Sequence, residues 1–594
     1  AFLLEGRSAQ QRRPGPRAPP GERAGPPAMP ATWLCLLACG IVLSFAWVAD
    51  VVRFLRVGGR LRLPQLGASD GTGTVATAEA TAAQVAAGWR RKQANHAYQM
   101  GRQIIDNSTE CNRWFQDNWE PTFFCVAERR LGRYGRGGKW VCDPHALAEP
   151  CVVYSLGEPQ WDFERELLGY ANCDFHAFGP AVDGSSAPAF VRYHPIDTGG
   201  ISDSLLLGAQ TGMGGGSLVD VLKVNDVSCH QCDGGCGLCV WEIVQKVLAA
   251  VTVRQILVSL DCSAPRAKLA HNWFEDLTRR GYVVFHKEAD TTEAADRCGY
   301  SLVLAPPGFA NASHASARLG AEPGPLPRRS SLALRESGGF FDDDDETWAL
   351  RKCNHVAQMR RQKNEHTWYA YPRFWMNNWE PSFPCAYAQR IGAPGDGGKW
   401  VCDPYRIGQL NSCLVYSVGS NGQSDFEQSI HDFFGPHCEI HTFDPNPWEH
   451  YTPQPMPSFM NYHQFGISNR DTDKFKSMPT VIKELGHAGR TIEIFKIDCE
   501  GCEWSTYTQW LSPEVNIRQI NIELHPNGWE PIYVTANRFF DDLDSHGFVI
   551  HHKESNTLGC GGGCLEYGLV RLQPGIFRDI ATSQQSAYHS VVCR

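Results

Sequence analysis

Apolar residues along this chain gather in short runs rich in β-branched and aromatic side chains, separated by helix-length polar stretches. From residue 413 onward the runs are CLVYSVG, EIHTFDP, EIFKIDC, RQINIELH and GFVIHHKE, each with glycine or an acid among its last three residues. Runs that stay apolar without strict alternation suit strands covered on both faces. With helices between them, they predict an α/β fold with a mostly parallel sheet and helices on both sides.

The same pattern occurs twice. NWEPTFFC from Asn118 matches NWEPSFPC from Asn378, and GGKWVCDP begins at Gly137 and again at Gly397. CVVYSLG matches CLVYSVG, CDFHAFGP matches CEIHTFDP, RQILVSL matches RQINIEL, and GYVVFHKE matches GFVIHHKE, in the same order. A period of about 260 residues is too long for a solenoid unit and indicates tandem duplication of a whole domain. The expected division is a low-complexity segment at 1–32, an apolar segment at 33–55, a Gly/Ala/Thr linker at 56–94, a first copy at 95–305, a disordered acidic and Pro-rich linker at 306–346, and a second copy at 347–594.

In an open parallel sheet, ligands bind beyond the carboxyl ends of the strands, at the point where strand order reverses. The first strand of the second copy runs into Gly419, Ser420, Asn421 and Gly422, where glycine permits a tight turn and close backbone approach. The second ends in Asp444, at a distance where nucleotide-binding folds place the acid that takes a ribose diol; a loop Asp that caps a turn has the same spacing. The third ends in Asp498, Glu500 and Glu503, within FKIDCEGCEW. The fourth ends in Glu523 and His525, which share one side of an extended strand and could form a base with its orienter. Singly, each acid reads as a surface ion pair or helix cap; four successive acidic strand ends read as a site.

Composition adds a compartment. Twenty-three cysteines and the sequons at Asn107 and Asn311 point to an oxidising, secretory setting. Residues Trp33 to Leu55 are apolar apart from Asp50 and Arg53, long enough for a signal anchor; a cleaved signal peptide or a buried helix are the alternatives. The residues before Met29 have the character of an upstream extension, with Met29 a candidate start. A net charge of −9 without a basic block argues against nucleic acid as a partner.

VYSVGSNGQSDFE, CEIHTFDP, NYHQFGIS, FKIDCEGCEW and INIELH together resemble the methyltransferase-like protein 24 family and the wider FkbM-type methyltransferases, over roughly Lys399 to Val570. The resemblance implies two Rossmann-like class I methyltransferase domains and S-adenosylmethionine as cofactor. It implies that Gly419, Ser420, Asn421 and Gly422 line the donor, that Asp444 holds the ribose hydroxyls, and that Asp498 faces the reactive end beside Glu500. Asp498, Glu523 and His525 are then the catalytic candidates, with no metal among the expected ligands. In the first copy Gly179, Asn225 and Ser259 replace Asp444, Asp498 and Glu523, and Asp261 stands near the place of His525, so that copy is expected to be non-catalytic. Its Cys229, Cys232, Cys236 and Cys239 have zinc-compatible spacing, but suit disulfides in an oxidising lumen. Cys499 and Cys502 are expected to brace their turn through a disulfide, with Cys560 or Cys564 as candidate partners. The chemistry implied is O-methylation of a glycan or other hydroxyl, by a Golgi or endomembrane single-pass protein or a secreted one. The alternative is a non-catalytic binding protein on the same fold, with its Trp-rich NWEP segments stacking on sugars.

Overall fold

The structure, a computed structural model, describes residues 92–93, 95–97, 99–100, 118–132, 137–147, 150–157, 160–179, 186–195, 218–225, 240–261, 267–289, 297–305, 332–361, 374–375, 378–393, 397–526, 532–556 and 563–577. Every described residue belongs to one compact unit, within Ala80–Arg594. The expected anchor at 33–55, both sequons and the Cys229 to Cys239 cluster lie outside the described residues. Among the described residues no helix is long and apolar enough to cross a membrane.

The duplication is visible strand for strand. The first copy contains a hairpin of β1 (Arg129–Leu131) and β2 (Lys139–Val141). Its main strands are β3 (Cys151–Leu156), β4 (Cys173–Gly179), β5 (Val191–Pro195), β6 (Leu218–Val224), β7 (Thr252–Asp261), β8 (Tyr282–Ala289) and β9 (Arg297–Leu304). They form one seven-stranded sheet in the order β5-β4-β3-β6-β7-β9-β8. The second copy repeats the hairpin as β10 (Gln389–Ile391) and β11 (Lys399–Val401). Its sheet strands are β12 (Cys413–Val418), β13 (Cys438–Phe443), β14 (Met460–His463), β18 (Ile494–Ile497), β20 (Gln519–Leu524), β21 (Phe548–Asn556) and β22 (Cys564–Arg571). Their order, β14-β13-β12-β18-β20-β22-β21, is the same. Two short parallel ladders accompany this sheet: β15 (Gly466–Ile467) with β16 (Phe475–Lys476), and β17 (Thr491–Ile492) with β19 (Asn516–Ile517).

Each sheet is parallel except for the strand inserted next to the edge, β9 or β22, which runs antiparallel to both neighbours. The strand order reverses between β12 and β18, so the loops after these strands open a crevice there. Alternation decides which helices cover which face. Leu414, Tyr416, Val418, Phe495 and Ile497 pack with the helices Met478–Glu484, Glu503–Trp510 and Ile532–Ser545. Cys413, Val415, Ile440 and Ile494 pack with the helix Asp425–Phe434. That helix buries Phe426, Ile430 and Phe434 at four-residue spacing, carries Asp425 and Glu427 in its first turn, and ends at Gly435 with φ 85°.

Both hairpins are docked onto their sheets by a glutamine that imitates a peptide group. Gln519 accepts from the Cys402 N–H (2.8 Å) and donates to the Cys402 carbonyl (2.9 Å). Gln255 makes the same two bonds to Cys142, each 2.9 Å. The recurring cysteines pair as Cys125–Cys142 and Cys151–Cys173 in the first copy, and Cys385–Cys402 and Cys413–Cys438 in the second.

Two expectations change. Part of the presumed linker is packed structure: Leu332–Glu336 is helical, Phe340 and Phe341 are buried, and Asp343 pairs with Arg351 at 2.7 Å. The acidic run from Asp342 is followed by the helix Asp345–Arg361, whose N-terminus favours negative charge. The Trp-rich segments are core and not a sugar platform, since Trp119, Trp375 and Trp379 are at most 2% exposed.

Candidate active site

The loop after β12 is fixed by its neighbours. The Gly419 N–H donates to the Phe443 carbonyl (2.9 Å), and the Asp498 N–H to the Val418 carbonyl (3.0 Å). Lys496 reaches across from β18 and donates to the Gly419 carbonyl. Gly419 has φ 77°, and a Cβ there would lie 1.7 Å from the Asp498 carbonyl oxygen. Only glycine therefore lets the two strand ends approach this closely.

Asp444 is buried beneath this loop. One carboxylate oxygen accepts from the N–H groups of Ser420 (3.1 Å) and Asn421 (3.3 Å). The other accepts from the Asn446 N–H (3.1 Å) and the Tyr451 hydroxyl (2.8 Å). Asp444 thus caps the turn, and it also lines a cavity of about 590 Å³. Gly419, Ser420, Asn421, Asp498, Glu500, Glu523 and His525 line the same cavity. Gly422 is set back from it, where a Cβ would lie 2.2 Å from that of Tyr451.

The acids of FKIDCEGCEW separate into distinct jobs. Glu503 opens the helix Glu503–Trp510 and is fully buried; its carboxylate accepts from the Cys499 N–H (3.2 Å) and binds His525 Nδ1 (2.9 Å). Glu500 is 88% exposed, has φ 55°, and brings its carboxylate 3.5 Å from His525 Nε2. Asp498 lies 3.8 Å from the same nitrogen. Cys499 and Cys502 pair with each other, and not with Cys560 or Cys564, so the brace is local to the turn. The orienter of His525 is Glu503 rather than the expected Glu523, whose carboxylate accepts from Asn556 Nδ2 (2.8 Å).

A residue that sequence reasoning passed over sits below these groups. Lys399, from the GGKWVCDP hairpin, is fully buried, with Nζ 2.5 Å from Glu566, 3.7 Å from Asp498 and 3.7 Å from Glu523. Burial alone would depress its ammonium, but the three carboxylates outweigh burial and raise it. One cation cannot neutralise three acids, and they divide accordingly. Burial pushes Glu566 well up and Glu523 up. Asp498, despite its burial, is held below the usual carboxylate range by Lys399, Lys496 and His525. Burial likewise opposes the charge on His525, yet the hydrogen bond and charge of Glu503, with Glu523 and Asp498, raise it to about 9. At neutral pH the site therefore presents an ionised Asp498 beside an imidazolium.

The first copy keeps the frame without these groups. The Asn225 N–H donates to the Leu156 carbonyl (2.9 Å), as Asp498 does to Val418. Lys139, the counterpart of Lys399, donates to the Ser259 hydroxyl at 2.8 Å, where Lys399 faces the carboxylate of Glu523. The Tyr193 hydroxyl lies 2.8 Å from where a Cβ on Gly179 would stand, so it fills the space beside the position matching Asp444. Lys223, which matches Lys496, turns inward to Glu164 (2.7 Å) instead of reaching a loop carbonyl.

Comparison with solved structures finds loose overlaps. The Methanococcus jannaschii fibrillarin pre-rRNA processing protein is 11% identical, with 27% of this chain and 68% of that one covered and a TM-score of 0.19. Haemonchus contortus phosphoethanolamine N-methyltransferase 2, solved with phosphomonomethylethanolamine and S-adenosylhomocysteine, is 11% identical over 72% of this chain and 96% of that one, with a TM-score of 0.17. The Thermus thermophilus 16S rRNA N2 G1207 methyltransferase, solved with AdoMet and guanosine, is 10% identical over 75% and 98%, with a TM-score of 0.18. Overlaps this loose decide nothing about the chemistry of this chain. No curated protein matches it in sequence. The methyltransferase domain model, in contrast, matches residues 84–303 and again 331–571, so the chain belongs to the methyltransferase domain family, in two copies.

Proposed function

We propose that the second copy is an S-adenosylmethionine-dependent methyltransferase that methylates a hydroxyl, with a glycan as the favoured acceptor, and that the first copy is a non-catalytic partner. The observation that carries this reading is convergence: the glycine loop, Asp444, Asp498 and His525 meet around one cavity at the strand-order reversal of the second copy. The residues fit the donor. Gly419 lets the loop after β12 close against the end of β18, and Asp444 lies beneath that loop, where a ribose diol is held in such folds.

S-adenosylmethionine supplies the methyl group as an electrophilic carbon on a sulfonium. Around that carbon the chain's own residues act mainly by positioning. Asp498, ionised at neutral pH, accepts the proton of the acceptor hydroxyl as the new C–O bond forms and the S–C bond breaks. His525 carries a proton at that pH and so is not the base; it holds Asp498 and Glu500 in place through charge. Glu523 lies behind Asp498, on Lys399.

The cysteine pairs support an oxidising compartment, and with the apolar segment at 33–55 we place the protein in the secretory pathway, membrane-anchored or secreted. The test is calorimetric titration of S-adenosylmethionine into the whole chain, beside Asp444→Ala, which removes the carboxylate assigned to the ribose diol. Binding that the variant loses is expected, and transfer of labelled methyl to glycan hydroxyls then identifies the acceptor. A folded chain that binds no donor would leave a binding protein on a methyltransferase fold.

A further inference from the structure

A second cluster of chemistry-bearing side chains lies on the same sheet, outside the lining of the donor cavity. Glu439 and His441 project from β13, two residues apart, and His487 follows the helix Met478–Glu484. One ligand atom from each, a Glu439 oxygen and one nitrogen of each histidine, lies within 4.8 Å of the other two. Glu439 Oε1 is 2.8 Å from His441 Nε2 and 3.5 Å from His487 Nε2. A tetrahedral zinc ion, with ligands at about 2.0–2.2 Å, sets its ligand atoms roughly 3.4 Å apart, close to these separations.

The surroundings are those of ligands already aimed. A metal-bound imidazole needs its other nitrogen tied as a donor. His441 Nδ1 lies 2.8 Å from His463 Nε2, and His487 Nδ1 lies 2.6 Å from the Tyr416 hydroxyl. Arg490 holds the second oxygen of Glu439 at 2.7 Å, which leaves the first facing the imidazoles. Both histidines are nearly buried, at 7% and 4% side-chain exposure, while Glu439 at 39% keeps one side open to water. In the first copy His176 and Asp174 match His441 and Glu439, and among the described residues no histidine stands in the place of His487. His176 Nδ1 is 2.9 Å from His194 Nε2, Asp174 stands in the place of Glu439, and the two rings stack as His441 and His463 do.

We propose that Glu439, His441 and His487 form a binding site for a zinc-like divalent cation, with its fourth position open to solvent, separate from the donor cavity. Two imidazoles and one carboxylate select borderline metals such as zinc over calcium or magnesium. Bound there, the ion pins the segment after the helix Met478–Glu484 to the sheet.

The test uses the whole chain, stripped with chelator and then equilibrated with zinc. Metal content is read by mass spectrometry, and the melting temperature is read with and without zinc. Glu439→Gln and His487→Gln are expected to bind one equivalent less than the parent and to lose the zinc-dependent rise in melting temperature. His176→Gln, the matching change in the first copy, is expected to keep both. Because Glu439 is partly exposed, its variant reports on the metal even if a histidine variant misfolds. Unchanged zinc content in both Glu439→Gln and His487→Gln, or an equal loss in His176→Gln, would overturn the proposal.

Discussion

Replacing Lys399 by methionine removes the one cation shared by Asp498, Glu523 and Glu566. At an effective dielectric of about 20, the pair with the ionised Asp498, 3.7 Å apart, gains roughly 4–5 kcal/mol. Desolvation offsets much of that in the intact protein, but deletion leaves the acids buried without their partner, which costs about 3–5 kcal/mol. For a repeat of this size that corresponds to a fall in melting temperature of roughly 6–20 °C. The pH dependence identifies the cause. Unpaired buried carboxylates have folded pKa values above their unfolded ones, so the folded variant binds more protons than its unfolded chain and gains stability as pH falls. Thermal melts of Lys399→Met and the parent, from pH 8 down to pH 5, should therefore converge toward the acid end. A deficit that stays constant across that range would refute the electrostatic account and leave lost packing as the explanation.

Three further predictions are independent of Lys399. His525 is raised to about 9, so its contribution is complete below its unfolded pKa of 6.5 and is lost as pH rises through 9. Parent minus His525→Gln stability should shrink by on the order of 3 kcal/mol between pH 7 and pH 10 in urea titrations; a difference flat with pH would contradict the charge assignment. Gly419→Ala places a Cβ 1.7 Å from the Asp498 carbonyl oxygen and should abolish donor binding by calorimetry. Gly435→Ala, equally strained at φ 85° but 3.7 Å from the nearest atom, should retain it. Trp379→Ala should cost about 3–5 kcal/mol in unfolding free energy, and a change under about 1 kcal/mol would show that the NWEP segment is not core.

How much of this was legible depended on range. The duplication, the strands after residue 413 and the acids at their ends could be read because each is a local pattern. Lys399 could not be singled out, since its meaning depends on a hairpin folding onto strands more than a hundred residues away. The choice of Glu503 over Glu523 as the orienter of His525 had the same cause. Alternation put Glu523 and His525 on one side of a strand, but it could not show that the following turn returns Glu503 to Nδ1 at 2.9 Å. The cysteine pairing within the turn followed from chain geometry that spacing alone left open among three candidates. The Glu439 cluster went unread because His487 is distant in sequence from Glu439 and His441, which stand two residues apart on one strand.

The two copies meet along a polar seam. Asn95 donates to the Ala388 carbonyl and accepts from Gln389, and Arg390, paired with Glu554 at 2.9 Å, also lies 4.0 Å from Glu120 of the first copy. Burial, opposed by Lys287 and reinforced by Glu554, pushes Glu120 up to about 7. A carboxyl whose folded pKa exceeds its unfolded value of about 4.5 weakens the fold as pH rises through that interval, by on the order of 3 kcal/mol once fully ionised. Glutamine imitates the protonated form. Glu120→Gln should therefore match the parent near pH 4.5 and exceed it in stability at pH 8, measured as urea midpoints on the whole chain. A loss at pH 8 would instead mean that the 2.5 Å contact with Lys287 stabilises the ionised state more than burial and Glu554 oppose it. A gain would mean that the seam carries an electrostatic cost at neutral pH, set by the burial of Glu120 beside Glu554.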